Sequence, residues 1–266
     1  KPFHDWARAK PSYQGQLPFV VIGALLGVAI IVLLAINAEL PAPFDKAWLG
    51  AAALQIVLVM SQRRRTEPVL APVCVKQSPL GWYTDVLRIV ERESFSDPAL
   101  VSVRERLVPS DGPTASHALA QLDRLIGMAA VRHNALIIVL ANAGFAWDVW
   151  TAWLIDGWRA RHGSQVASWL DALAEIEALT SLAAFAADHP DYAWPELVEE
   201  PRFEARTLGH PLIVATERVA NDVRLDAEVP ALMVTGSNMS GKSTMLRSMG
   251  VAAVLAQAGA PVCAAS

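Results

Sequence analysis

Cysteine is scarce in this sequence: Cys74 and Cys263 are the two in 266 residues. Two cysteines so far apart make neither a disulfide framework nor a zinc site, and they read as buried, reduced thiols in a cytosolic setting. The six histidines, at positions 4, 117, 133, 162, 189 and 210, lack metal-ligand spacing. Charge is also thin, at 18% against about 25% in an ordinary soluble domain. There is no basic excess: 22 Lys and Arg against 26 Asp and Glu give a net charge of −4. Dedicated nucleic-acid binders are usually basic, so overall charge gives no support for one and leaves room only for a local patch. What the chain has in abundance is apolar surface. Residues of the set AVILMFWYC make up 53% and mean hydropathy is +0.32. A disordered chain and a Glu/Lys-rich coiled coil are both excluded, and the excess over what a core needs predicts that part of the chain faces lipid.

The first 66 residues read as a membrane hairpin. Leu17 to Ile36 is a charge-free apolar run of the length that spans the roughly 30 Å hydrocarbon core as a helix. Pro18 falls in the first turn, where its missing N–H costs little. A buried soluble helix would keep a polar stripe. A signal peptide would have a shorter apolar stretch followed by a small-residue cleavage site. The second run, Ala47 to Met60, is shorter. It spans, as about 43–62, if Leu40 to Phe44 extend it and Asp45 and Lys46 snorkel to the headgroups; a re-entrant or interfacial segment is the alternative. Trp48 suits an interfacial anchor. Lys1, Arg8 and Lys10 precede the first run, and Arg63, Arg64 and Arg65 follow the second. Positive residues stay on the cytoplasmic side, so both ends are expected inside the cytoplasmic (inner) membrane, with a short outer loop. The arginine triplet reads as a topology and anionic-lipid determinant rather than a nucleic-acid patch.

Residues 67–200 are expected to form a helical core and lever. Ala115 to Asn134 places Leu119, Leu122, Leu125, Ile126, Met128 and Ala129 at helical spacing. Ser164 to His189 does the same with Val166, Trp169, Leu170, Leu173, Ile176, Leu179, Leu182 and Phe185, and Pro190 stops it. Glu175 and Glu177 lie two apart, so they do not face each other and read as a solvated edge. Asn134 to Ile155 is ambiguous. Hydropathy allows a third span, but that would put everything after it outside the cell, so a long buried helix is the expectation. Trp147, Trp150, Trp153 and Trp158 are then packing residues; a stacking platform for bases is the alternative.

The chemistry lies near the end. Ala231 to Thr244 reads ALMVTGSNMSGKST, which contains the phosphate-loop pattern Gly236-x4-Gly241-Lys242-Ser243. Ala231 to Val234 is expected as the strand leading in, Ser243 to Ala258 as the helix leading out, and Pro261 to Ala264 as the next strand. Gly236 and Gly241 let the backbone turn tightly around an anion. Loop N–H groups, including those of Ser237, Asn238, Met239, Ser240 and Thr244, and the helix N-terminus point positive partial charge at phosphates. Lys242 adds a full charge for the β and γ oxygens, and Ser243 offers Mg²⁺ a hard oxygen ligand. ATP and Mg²⁺ are the expected ligands.

Four stretches resemble the MutS family of mismatch-repair ATPases: TGSNMSGKSTMLR at Thr235 to Arg247, GHPLI at Gly209 to Ile213, AND at Ala220 to Asp222, and EIEALTSLAAFA at Glu175 to Ala186. With AQAGAPVCA after the loop, the version here is most similar to the membrane-linked, MutS-related branch. The resemblance covers about Glu175 to Ser266. It implies a mainly α chain with a partial α/β P-loop (ABC-type) ATPase domain at 201–266, a homodimer that sandwiches ATP, and coupling to DNA. The family's Walker B carboxylates, signature loop and switch histidine are expected beyond Ser266. The chain is therefore expected to be an N-terminal fragment, weak in nucleotide binding and nearly inactive alone. Two departures stand out. No Phe is followed two residues later by Glu, as in the family's mismatch reader, and the hairpin occupies that reader's place. Arg218 and Val219 also stand where the family often has an aromatic near adenine; a guanidinium can stack on a base. The expected role is ATP-dependent DNA binding or mismatch-repair-like activity at the membrane, in contact with lipids and with the ATPase facing the cytoplasm. The alternatives are a transporter-type nucleotide-binding protein and an ATP-switched membrane scaffold without a DNA role.

Overall fold

A computed structural model describes residues 2–36, 38, 41, 44–73, 80–237 and 241–266. Cys74, most of the expected outer loop, and Asn238, Met239 and Ser240 lie outside the described residues. The chain is mainly helical and divides into two compact units, residues 1–174 and 175–266.

Among its described residues the first unit forms helices and no strand. A short helix α1 (Pro2–Arg8) precedes α2 (Leu17–Ala35) and α3 (Ala47–Leu70), which pack against each other. Both are long and apolar enough to cross a membrane, over Gln14–Ala35 and Phe44–Leu70. In α2 almost every residue is apolar, so no polar stripe marks a solvent face; Leu25, Val28, Ile31 and Val32 are each half exposed or more. The helix α3 continues past the expected end of the second run, through the three arginines, to Leu70. Inside the pair, the fully buried Gln55 amide donates to the Gly23 carbonyl at 2.9 Å.

Helices α4 (Leu80–Arg92), α5 (Pro98–Leu107) and α6 (Ala115–Ala129) follow. Asp97 caps α5 by accepting from Ala99 and Leu100 N–H, and Thr114 caps α6. The expected face of α6 is largely the buried one: Leu119, Leu122, Ile126 and Ala129 are buried, while Met128 is 40% exposed.

The expected long buried helix over Asn134–Ile155 is instead two helices, α7 (Ala135–Phe145) and α8 (Trp147–His162). The break has local causes. Asn134 caps α7 by accepting from Leu136 and Ile137 N–H. Ala146 adopts the left-handed region at φ 49°, and the Asn142 amide accepts from Asp148 N–H while donating to its carboxylate. The two halves also differ in burial. No residue of α7 is fully buried, whereas α8 buries Val149, Ala152, Ile155 and Trp158. Of the four tryptophans, Trp158 fits the packing expectation, with its indole N–H on the Ala118 carbonyl at 2.7 Å; Trp150 is 38% exposed.

Residues 10–16 are clamped onto α8 by a buried carboxylate. Asp156 accepts from Tyr13 N–H at 2.7 Å and Gln14 N–H at 3.0 Å, and pairs with Arg159. Trp6 adds a bond from its indole to the Val69 carbonyl. Tyr13 is fully buried, and desolvation pushes its hydroxyl up to about 12, against a small lowering by Arg65.

Helix α9 (Val166–Asp188) runs across the division between units. Its predicted apolar face is buried in the first half, at Val166, Trp169 and Leu173, and Leu179 beyond is 42% exposed. The second unit then carries an antiparallel pair, β1 (Phe203–Leu208) and β2 (Asn221–Leu225), and helix α10 (Lys242–Gln257). Residues 262–266 run beside β1: Gly209 N–H donates to the Cys263 carbonyl and Ala265 N–H to that of Arg206. Val262 also bridges to Ala193. Ala205, Leu208, Val223, Ala252, Val262 and Ala264 form the core, with Met245 and Met249 of α10 against it.

Candidate phosphate-binding site

The second unit places the expected loop residues at the start of α10. Gly241 is the residue before the helix, with φ +83°, and Gly236 has φ +153°. Both values lie where L side chains are strained, which explains the two glycines of the pattern. Lys242 opens α10, and its Nζ donates to the Gly236 carbonyl at 2.6 Å and to that of Ser237. The Gly236 and Ser237 carbonyls thus hold the lysine at the helix N-terminus. Ser243, exposed, and Thr244 follow in the first turn, whose N–H groups have no intrahelical acceptor. Asn238, Met239 and Ser240 lie outside the described residues.

These residues edge an open cavity of about 630 Å³. Thr235, Gly241, Lys242 and Thr244 line it together with His210, Ile213, Glu217 and Val219. Such a volume falls in the range of small-molecule sites. Its lining offers a lysine and a helix N-terminus for anions and, in Ile213 and Val219, two branched apolar side chains. The expected Mg²⁺ ligand Ser243 does not line this cavity; the hydroxyls that do are those of Thr235, Thr244 and Ser248. Among the described residues, no group of three or more His, Cys, Asp or Glu forms a metal cluster.

The GHPLI and AND stretches acquire concrete roles. His210 and Ile213 line the cavity, as does Asn221. Asp222 accepts from Thr207 N–H at 2.8 Å and so pins the irregularity in β1, where Thr207 has φ 49°. A Cβ on Gly209 would stand 2.3 Å from Cδ of Arg218; only glycine lets that side chain pass.

Arg218 departs from expectation. It does not line the cavity but turns away from it, donating from Nη1 to the Tyr192 hydroxyl and the buried Cys263 sulfur and from Nε to the Ile213 carbonyl. Its guanidinium lies 5.7 Å from the Tyr192 ring centre. These contacts occupy the guanidinium, and the neighbouring Val219 is the residue of the pair that lines the cavity. Burial, then Cys263, push the Tyr192 hydroxyl above its usual range, with Arg218 opposing. Glu217 was missed by sequence reasoning, because an isolated acidic residue in a turn carries no signal.

The expected strand Ala231–Val234 is not formed as one: among the described residues no strand pairs with it, and Met233 is 87% exposed. A strand without a neighbour has no ladder to hold it.

No family model matches the chain. It is similar to DNA mismatch repair protein MutS 1 of Halobacterium salinarum, with 43% identity over 105 residues, covering 38% of this chain and 12% of that protein. It is similar to MutS 1 of Haloarcula marismortui, at 41% over 95 residues, 35% of this chain and 10% of that one. A third relative is the probable DNA mismatch repair protein Msh6 of Drosophila melanogaster, at 34% over 112 residues, 40% of this chain and 9% of that one. The chain spans about a tenth of the length of the curated relatives it matches.

Proposed function

We propose that this chain belongs to a membrane-anchored, MutS-related P-loop ATPase that uses ATP to control binding of DNA near the membrane. The observation that carries the reading is Lys242 at the start of α10, held on the Gly236 and Ser237 carbonyls beside a cavity whose lining includes Ile213 and Val219. The similarity to mismatch-repair proteins supports the family, and its length, 95 to 112 residues, is close to that of the second unit.

In this reading ATP lies with its phosphates at the loop and its base toward Ile213 and Val219. Lys242 exchanges the Gly236 and Ser237 carbonyls for phosphate oxygens, the first-turn N–H groups of α10 receive the remaining charge, and Ser243 holds Mg²⁺. The metal supplies charge neutralisation to the phosphates when bound. The hairpin α2–α3 is the anchor, with Arg63, Arg64 and Arg65 on the cytoplasmic side, and the ATPase faces the cytoplasm. The intact protein hydrolyses ATP as a homodimer, and α9 is the lever between anchor and ATPase.

DNA binding is tested with the intact protein on homoduplex, mismatched and branched DNA at two salt concentrations, with and without ATP. Salt-sensitive, ATP-dependent retention is expected; phosphate contacts release counterions, so affinity falls with salt. Retention of none of the three would remove DNA from the account and favour the ATP-switched scaffold.

A further inference from the structure

Helix α7 is too short to cross a bilayer, since its 11 residues rise about 16 Å, roughly half the hydrocarbon core. Its sequence is nonetheless apolar, and Leu136, Ile137, Val139 and Leu140 are 50–70% exposed. The chain bends by 111° between Ala115–His133 and Ala135–Phe145, which lays α7 against α2 and α3 rather than in line with α6. On the α2 side the fit is tight: a Cβ on Gly27 would stand 2.8 Å from the Gly144 carbonyl oxygen.

On the α3 side a groove of about 400 Å³ remains open. Ile56, Val59 and Met60 wall it from α3, and Ile138 and Val139 from α7. Arg63, exposed, stands at its edge. Positions 56, 59, 60 and 63 follow the i, i+3, i+4, i+7 rule, so they form one stripe along α3. Two turns, about 10 Å, separate Ile56 from the arginine. The charges around the groove favour an anion. Arg132, also in the lining, is held by Glu67 at 2.6 Å and by Asp148, another lining residue, at 3.1 Å, so its charge is already answered and Arg63 is the cation left to face the groove. Among the described residues the Arg63 guanidinium has no hydrogen-bond or ion-pair partner.

The lining thus joins an apolar stretch, Ile56, Val59, Met60, Ile138 and Val139, to a polar one that holds Thr66, Asn142 and the unpaired Arg63, a division that matches the acyl chain and anionic headgroup of a lipid. We propose that the α3–α7 groove holds one anionic phospholipid, its acyl chain along Ile56, Val59, Met60 and Val139 and its phosphate on Arg63. The inference rests on the membrane-anchored reading above, because the lipid must come from the surrounding bilayer.

The test uses intact protein purified in detergent, delipidated, and titrated with phosphatidylglycerol or phosphatidylcholine under native mass spectrometry. The wild type is expected to retain one phosphatidylglycerol in preference to phosphatidylcholine. R63Q should lower that preference about fivefold, the worth of one basic residue at an anionic surface, while V139W, which fills the groove, should abolish retention of either lipid. Equal binding of the two lipids by the wild type, or unchanged retention by both variants, overturns the proposal. So does a V139C cross-link between two copies that excludes lipid, since the occupant would then be a second chain. Alkaline carbonate extraction separates the two levels. Release of the protein from membranes defeats the anchor itself, whereas retention in the pellet without headgroup selectivity defeats the lipid site alone.

Discussion

Asp156 is the residue whose loss should be felt most in the first unit. Its side chain is fully buried, Arg159 beside it is 4% exposed, and the carboxylate also accepts from the Tyr13 and Gln14 N–H groups. Asp156→Ala removes the acceptor of these three donors, and of Ser12 N–H at 3.4 Å, at once. It leaves a buried guanidinium without its counter-charge, which costs about 3–5 kcal/mol in comparable pairs, and three backbone donors in want of a partner. For a unit of this size, 1 kcal/mol moves the melting midpoint by about 2–4 °C, so the expected fall is about 6–20 °C. The assay is thermal unfolding of detergent-solubilised protein, with limited proteolysis at residues 9–16 as a local readout, since this segment should detach first. The double variant Asp156→Leu/Arg159→Met should lose clearly less than the single one, because no charge is then stranded. A single variant within about 2 °C of wild type would refute the reasoning, as would a double variant worse than the single.

Other consequences follow from the same geometry. Gly241→Ala forces a Cβ into φ +83° and should cost about 1–2 kcal/mol of stability, whereas Gly250→Ala, in open space within α10, should gain up to about 1 kcal/mol; chemical denaturation giving both the same sign would contradict the conformational argument. Gly27→Val should separate α7 from α2 and lower thermal stability, since even its Cβ meets the Gly144 carbonyl, while Gly50→Ala, in open space within α3, should lower nothing in the same assay and gain up to about 1 kcal/mol. His162 is buried between Trp158 and Trp169, and burial, then Arg161, hold its pKa below 6.5. The folded state therefore resists protonation, so stability is full above about pH 6.5 and falls as pH drops below it. Between pH 7.5 and 5.5 the wild type should lose more thermal stability than His162→Phe; equal losses would assign the pH dependence elsewhere.

Much of the local order was legible because it rests on short-range rules. The charge-free run at 17–36 forms α2, the Leu119–Leu122–Ile126 spacing forms a buried face, and the glycines of the phosphate loop sit where positive φ is needed. The misreadings share a physical origin in contacts that periodicity does not encode. The break at Ala146 depends on Asn142 and Asp148 meeting across it, which hydropathy averaged into one long helix. Arg218 was read by its position in a motif, but its partners, Tyr192 and Cys263, come from distant parts of the chain. The cavity lining beyond the loop depends on the turn at 210–219, where Glu217 carries no pattern at all. The net charge of −4 still gives the proposed DNA role no help, so that role stands or falls on a local surface.

The central claim is that Lys242 and its loop hold the phosphates of ATP. Equilibrium titration of the intact protein with a fluorescent ATP analogue in Mg²⁺, comparing wild type with Lys242→Ala, tests it directly. Loss of a charge-assisted contact, worth about 1.5–3 kcal/mol, should weaken binding by about 10- to 150-fold. Unchanged affinity in a folded variant would contradict the account.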